Sequence, residues 1–172
     1  MDCIDTQGYR SNVGIIITHE GLVLIGGRTD KTGWQFPQGG IQRGESAQEA
    51  MFRELKEEVG LKPRDVEMLG VTQNWLKYRL PKYLVRHQQK PVCIGQKQRW
   101  FLLRLTSNRE RVRFDKTKNP EFDRARWVEY WHPVEEVIYF KRQVYIRALN
   151  ELGPLAFPKK GMPPIPCWRP KQ

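Results

Sequence analysis

GGIQRGESAQEAMFRELKEEVGL, residues 39 to 61, decides the fold. Its centre reads as a helix with both ends written in. Ser46 is a good N-cap, and Glu49 three residues on completes a capping box. Gly60 supplies the C-terminal residue that can turn left-handed. Between those ends Ala47, Met51, Leu55 and Val59 recur every four residues and draw one apolar stripe for packing on a sheet.

The carboxylates lie off that stripe. Glu54, Glu57 and Glu58 are spaced i, i+3, i+4 and so share one helix face. Like charges so placed destabilise a helix by roughly 0.2–0.5 kcal/mol per pair. Three hard oxygen ligands on one face suit Mg2+ or Mn2+, which neutralises them. Taken alone, three glutamates are more often a solvated acidic face. Gly39, Glu45, Arg53 and Gly60-Leu61 at fixed offsets reverse that reading.

The spacing Gly-x5-Glu-x7-Arg-Glu-Leu-x-Glu-Glu-x-Gly-Leu resembles the Nudix box, with no departure from its pattern. The resemblance implies an α/β fold, an α/β/α sandwich around a mixed sheet, in a single domain. The box would form a loop-helix-loop that binds several divalent metals on a diphosphate. The wider chain is more similar still to bacterial RNA 5′-pyrophosphohydrolases. That similarity rests on residues 8–14, GYRSNVG; 34–40, WQFPQGG; 90–98, KPVCIGQKQ; and 120–123, PEFD. It covers roughly residues 8 to 152. It implies metal contacts from Gly39, Glu54, Glu57, Glu58 and Glu121, the last reaching the site from a loop opposite the box. It also implies RNA contacts from Arg10, Arg28, Tyr78, Phe140 and Lys141. Arg53 is expected to hold box carboxylates through a bidentate pair, with Glu45 in a similar structural role.

Composition fits such a partner. The 172 residues are most simply one domain with a real core. The net charge is +11, and several of the acids are committed to the box, so the remaining surface is more basic still. That points to a polyanion. No apolar run reaches membrane-spanning length. The N-terminal residues lack a signal-peptide core, and Cys3, Cys93 and Cys167 are widely spaced, so reduced thiols in the cytoplasm are expected.

Along the chain, residues 12–17 read as a buried strand, His19-Glu20-Gly21 as a turn, and residues 22–25 as its hairpin partner, ended by Gly26-Gly27-Arg28. Residues 66–75 read as a strand. Residues 75–90 are the most basic stretch, with Trp75, Tyr78 and Tyr83 interleaved, a mixture suited to single-stranded nucleic acid. A strand is expected through 100–105 and another through 125–128. A short helical segment follows at 131–137, then an amphipathic helix at 140–152. The domain is placed at residues 1–152. Residues 153–172 hold six of the twelve prolines and read as a basic, disordered tail.

The expected activity is Mg2+-dependent hydrolysis of the 5′-triphosphate end of RNA to a 5′-monophosphate, promoting RNA decay. A box or loop glutamate would take the proton of the attacking water, with Glu57 and Glu121 both open. The expected enzyme is a monomer acting on RNA rather than DNA or a membrane, and an activating protein stays open. The nearest rival is a dinucleoside polyphosphate hydrolase with the same box. The rival of another class is a non-catalytic RNA-binding module on this fold.

Overall fold

The computed structural model describes residues 3–115 and 117–168. Its strands in chain order are β1 Tyr9–His19, β2 Leu22–Arg28, β3 Trp34–Gln35, β4 Gln38–Gly40, β5 Val66–Val71, β6 Leu76–Arg79, β7 Gly95–Leu105 and β8 Phe122–Glu129. The helices are α1 Ala47–Val59, α2 Pro133–Glu136 and α3 Arg142–Ala156. One mixed sheet runs β3-β2-β1-β7-β5, with β4 also on β1, β6 on β7 and β8 on β2. The β1–β7 pairing is parallel, from Tyr9 opposite Gly95 to Thr18 opposite Arg104. The other pairings are antiparallel.

The sheet is covered on both faces, which is why Val13 and Ile15 to Ile17 form an almost unbroken apolar run. Val13, Ile15 and Ile17 pack with Ala50, Met51, Leu55 and Val59 of α1. Ile16, facing the other way, packs with Val144, Tyr145, Ala148, Leu149 and Leu152 of α3. The expected α/β/α sandwich is therefore observed. Ala47 sits at the edge of the α1 stripe, and Ala50 takes a fully buried place beside Met51. The β1–β2 turn carries positive φ at both Glu20 (52°) and Gly21 (78°), the pattern of a tight hairpin turn whose twist matches the strands.

Several boundaries move. β2 continues through Gly26 and Gly27, because the missing Cβ at Gly26 leaves room for the Phe122 ring, 2.5 Å from where it would lie. The expected strand at 66–75 ends at Val71. Thr72 then trades hydrogen bonds with Trp100, and the chain re-enters the sheet as β6. Within β6, Leu76 and Tyr78 are buried while Lys77 and Arg79 are exposed, so the basic stretch does begin on a strand.

α3 runs past the boundary placed after Leu152 and ends at Ala156. Pro154 is tolerated because its missing N–H would have faced the exposed Asn150 near the helix end. Residues 157–168, placed in the Pro-rich tail by the sequence, make contacts with the domain. Phe157 packs edge-on against Tyr130 at 5.1 Å, and Trp131 Nε1 donates to the Pro163 carbonyl at 2.9 Å. Trp168 lies 5.9 Å from the Trp131 ring. These apolar side chains anchor a segment whose prolines alone suggested a tail. Residues 169–172 lie outside the described residues.

Candidate metal and RNA site

The α1 cap forms as its residues dictate. Glu49 N–H donates to Ser46 Oγ at 3.2 Å, and Ser46 N–H donates to the Glu49 carboxylate at 2.8 Å. Gly60 adopts φ 72° and its N–H reaches the Leu55 and Lys56 carbonyls. With both ends fixed, the carboxylate face points at β4 and at the loop that leads into β8. Gly39 in β4 lies hard against Glu54: a Cβ there would sit 1.9 Å from the carboxyl carbon.

Arg53 is the hub of this face. Its Nε and Nη2 donate to the two oxygens of Glu45 at 2.8 and 3.0 Å, the bidentate geometry expected. Nη1 reaches Glu54 at 2.6 Å and Glu57 at 3.2 Å, and Nη2 also donates to the Gly40 carbonyl. Glu45 is held below the usual carboxylate range by Arg53. One guanidinium thus ties the entry loop, β4 and two box glutamates together.

Glu54, Glu58 and Glu121 all hold their protons more tightly than ordinary carboxylates, with burial the first cause in each. Glu58 is pushed up to about 8, with repulsion from Glu121, Glu54 and Glu57 adding to burial. Glu121, just before β8, is near enough for its charge to act on Glu58 of the box. Glu58 Oε2 is buried without a hydrogen-bond partner. Glu57 is the open member, its side chain 44% exposed. An orphaned buried oxygen among four carboxylates that repel one another fits a divalent cation. Among the described residues no three His, Cys, Asp or Glu side chains gather tightly enough to hold one. Instead Arg53 draws Glu54 aside, and Arg28 and Gln35 draw Glu121.

The expected RNA residues are also brought together, on the α3 side of Glu121. Arg28 donates to Glu121 at 2.9 Å and, through Nε and Nη2, to both oxygens of Asp30. Lys141 is buried, and burial brings its pKa down to about 8. Its ammonium donates to Gln35 Oε1 at 3.2 Å and lies 5.8 Å from the Tyr78 ring centre. Phe140 is 5.8 Å from Tyr78. Arg10, on β1 beside Gln96, is an electrostatic neighbour of the Tyr78 hydroxyl. Arg28, Trp34, Gln35, Phe140 and Lys141 line a cleft of about 290 Å³.

Sequence reasoning missed Gln35, whose amide donates to Glu121 at 2.6 Å while its oxygen accepts from Lys141. It also missed the amide chain in which Gln98 donates to Asn12 at 2.8 Å and to Gln38 at 3.4 Å. The available signal was polarity at buried positions, since Gln35, Asn12 and Gln98 are 3%, 3% and 1% exposed. Buried amides need partners, but only the folded sheet says which ones.

A capped acidic helix on a mixed sheet, with a cationic and aromatic cleft beside it, is the arrangement of a phosphoanhydride hydrolase. Residues 8–150 match the NUDIX domain, and the chain belongs to that family. It is 56% identical over 171 residues to the RNA pyrophosphohydrolase of Alkalilimnicola ehrlichii, covering 98% of this chain and 94% of that one. It is 60% identical over 153 residues to the RNA pyrophosphohydrolase of Psychrobacter cryohalolentis, covering 88% of each. The E. coli dihydroneopterin triphosphate pyrophosphohydrolase structure shares the fold, with TM-score 0.64 and 22% identity over 82% of this chain and 95% of that one. Nudix hydrolases generally use divalent metal ions.

Proposed function

We propose that this chain is an RNA 5′-pyrophosphohydrolase, converting triphosphate-ended RNA to monophosphate-ended RNA and so exposing transcripts to decay. The observation that carries the reading is the junction at Glu121. One carboxylate belongs both to the acidic cluster of α1 and, through Arg28 and Gln35, to the cleft lined by Phe140 and Lys141. A substrate spanning that junction has a polyphosphate at one end and a nucleotide chain at the other. The relatives' names agree with this substrate.

Glu54, Glu57, Glu58 and Glu121, with the backbone at Gly39, would hold the metal, which we assign as Mg2+, with Mn2+ able to replace it. A divalent cation bound there offsets polyphosphate charge and lowers the pKa of a bound water. The chain's own residues do the rest. Arg53 keeps Glu54 and Glu57 aligned by its three carboxylate pairs. Either Glu57 or Glu121 accepts the proton of the attacking water. One water adds across the α–β phosphoanhydride, giving the 5′-monophosphate and pyrophosphate, or two waters add in successive steps, each releasing one orthophosphate. The cleft residues hold the first nucleotides so that the reacting phosphorus stays in place.

No described helix is long and apolar enough to cross a membrane. We place the enzyme in the cytoplasm as a monomer. The test is to incubate 5′-triphosphate RNA with Mg2+ and identify the end produced. A 5′-monophosphate, absent with Glu57→Gln or Glu58→Gln, supports the reading. RNA bound but left intact would return the chain to the non-catalytic class.

A further inference from the structure

The cleft opens onto an exposed aromatic and aliphatic surface. Tyr83 is 74% exposed and Tyr139 58%, with Leu84 and Ile138 each 41% exposed next to them. Two short 3-10 turns carry them, Lys82–Leu84 and Tyr139–Lys141. The two tyrosines are neighbours, close enough for the Tyr83 hydroxyl to hold the Tyr139 proton more tightly than usual. Large exposed aromatics grouped in one place mark a contact surface.

The surface continues the cleft. Leu84 and Ile138 line the cleft together with Arg28 and Lys141. Tyr139 packs edge-on against Phe140 at 5.4 Å, and Phe140 against Tyr78 at 5.8 Å. An aromatic run therefore leads from the buried Tyr78 outward to Tyr139 and Tyr83. Arg79, Lys82 and Arg86, all exposed, lie on the same stretch of chain. Rings that accept bases, flanked by cations that follow phosphates, are what a single strand needs. A protein partner would not require the patch to open into the substrate cleft.

We propose that Tyr83 and Tyr139 form a stacking platform for a base downstream of the RNA 5′ end, an inference that rests on the RNA reading above. The rings add affinity for longer single strands and leave the chemistry at the triphosphate untouched. Because both are exposed, their removal spares the core.

The test compares Y83A/Y139A with wild type on a triphosphate-ended dinucleotide and a triphosphate-ended single-stranded octanucleotide. The platform predicts a loss of about tenfold in kcat/KM on the octanucleotide, with an unchanged salt slope, and a change under about twofold on the dinucleotide. Y83F/Y139F should retain use of the octanucleotide, whereas Y83L/Y139L should resemble the alanine variant. Equal loss on both substrates, no loss on the octanucleotide, or full recovery with leucine would overturn it. Anisotropy of a 3′-fluorescein octanucleotide separates this claim from the activity. If wild type cleaves nothing but Y83A/Y139A binds about tenfold more weakly, the platform stands and the activity falls. If wild type cleaves and Y83A/Y139A both binds and cleaves like it, the platform alone is overturned.

Discussion

The Cβ that Gly39 lacks would lie 1.9 Å from the carboxyl carbon of Glu54. A strand backbone and a buried helix carboxylate thus share one contact, and no larger residue fits without moving one of them. Gly39→Ala is therefore expected to displace Glu54 from Arg53 and from β4. Overpacking of this kind costs typically 1–3 kcal/mol. Turnover should fall on the order of 10²–10³-fold, by analogy with loss of one preorganised charge-stabilising group. Thermal melts and kcat on triphosphate RNA check both numbers; wild-type turnover would remove Glu54 from the catalytic face.

Glu58 gives a signed pH dependence. Its folded pKa is about 8 against an ordinary 4.5. Between those values the folded chain keeps a proton that the unfolded chain has lost. Its contribution to stability is therefore full below about 4.5 and is lost as pH rises through about 8. In chelator, wild-type Tm should decline across that window more steeply than that of Glu58→Gln. Added Mg2+ should restore wild type most at the alkaline end, where the carboxylate is free to bind, and restore the variant less. Parallel pH slopes in chelator would contradict the burial and repulsion assigned to Glu58.

Arg28 and Phe140 should separate catalysis from RNA holding. Arg28 ties Glu121 to Asp30, so Arg28→Ala should lower turnover on both RNA and a mononucleotide triphosphate. Phe140 touches the Tyr78 ring and no box carboxylate, so Phe140→Ala should weaken RNA use by about tenfold and spare the mononucleotide. Lys141→Ala should raise KM for RNA and flatten its salt dependence, as loss of a phosphate contact does. Identical substrate profiles for Arg28→Ala and Phe140→Ala would show that the two act at one place.

Truncation after Phe157 removes the Trp131–Trp168 ring contact and the hydrogen bond to Pro163. An aromatic pair is worth about 0.5–1.5 kcal/mol beyond its burial, and a hydrogen bond about as much. For a domain of this size, Tm should drop by roughly 4–10 °C. kcat should stay near wild type, because the segment does not line the acidic face. A melt within a degree of wild type would mean that the segment adds no stability.

The box, its caps and the glutamate spacing were legible because a helix is a local object: Ser46, Glu49 and Gly60 act within a turn or two of themselves. The double-sided sheet was legible in the run at Val13 and Ile15 to Ile17, which no half-exposed strand would carry. Gln35 was not legible, since its meaning depends on Glu121 and Lys141, both distant in sequence. Trp168 was hidden for the same reason: six prolines describe local backbone, whereas its anchor, Trp131, lies across a helix. Arg28 was found as a cation near RNA, but its pairing with Glu121 needed the β2–β8 register.

An acidic face joined to a nucleotide-chain cleft should serve RNA ends in preference to other polyphosphates. The decisive quantity is the ratio of kcat/KM for triphosphate-ended single-stranded RNA to that for a dinucleoside tetraphosphate, both with Mg2+. A cleft built for a nucleotide chain predicts a ratio of at least about tenfold, collapsing toward unity in Phe140→Ala. A ratio at or below unity in wild type would contradict it and assign the site to dinucleoside polyphosphates.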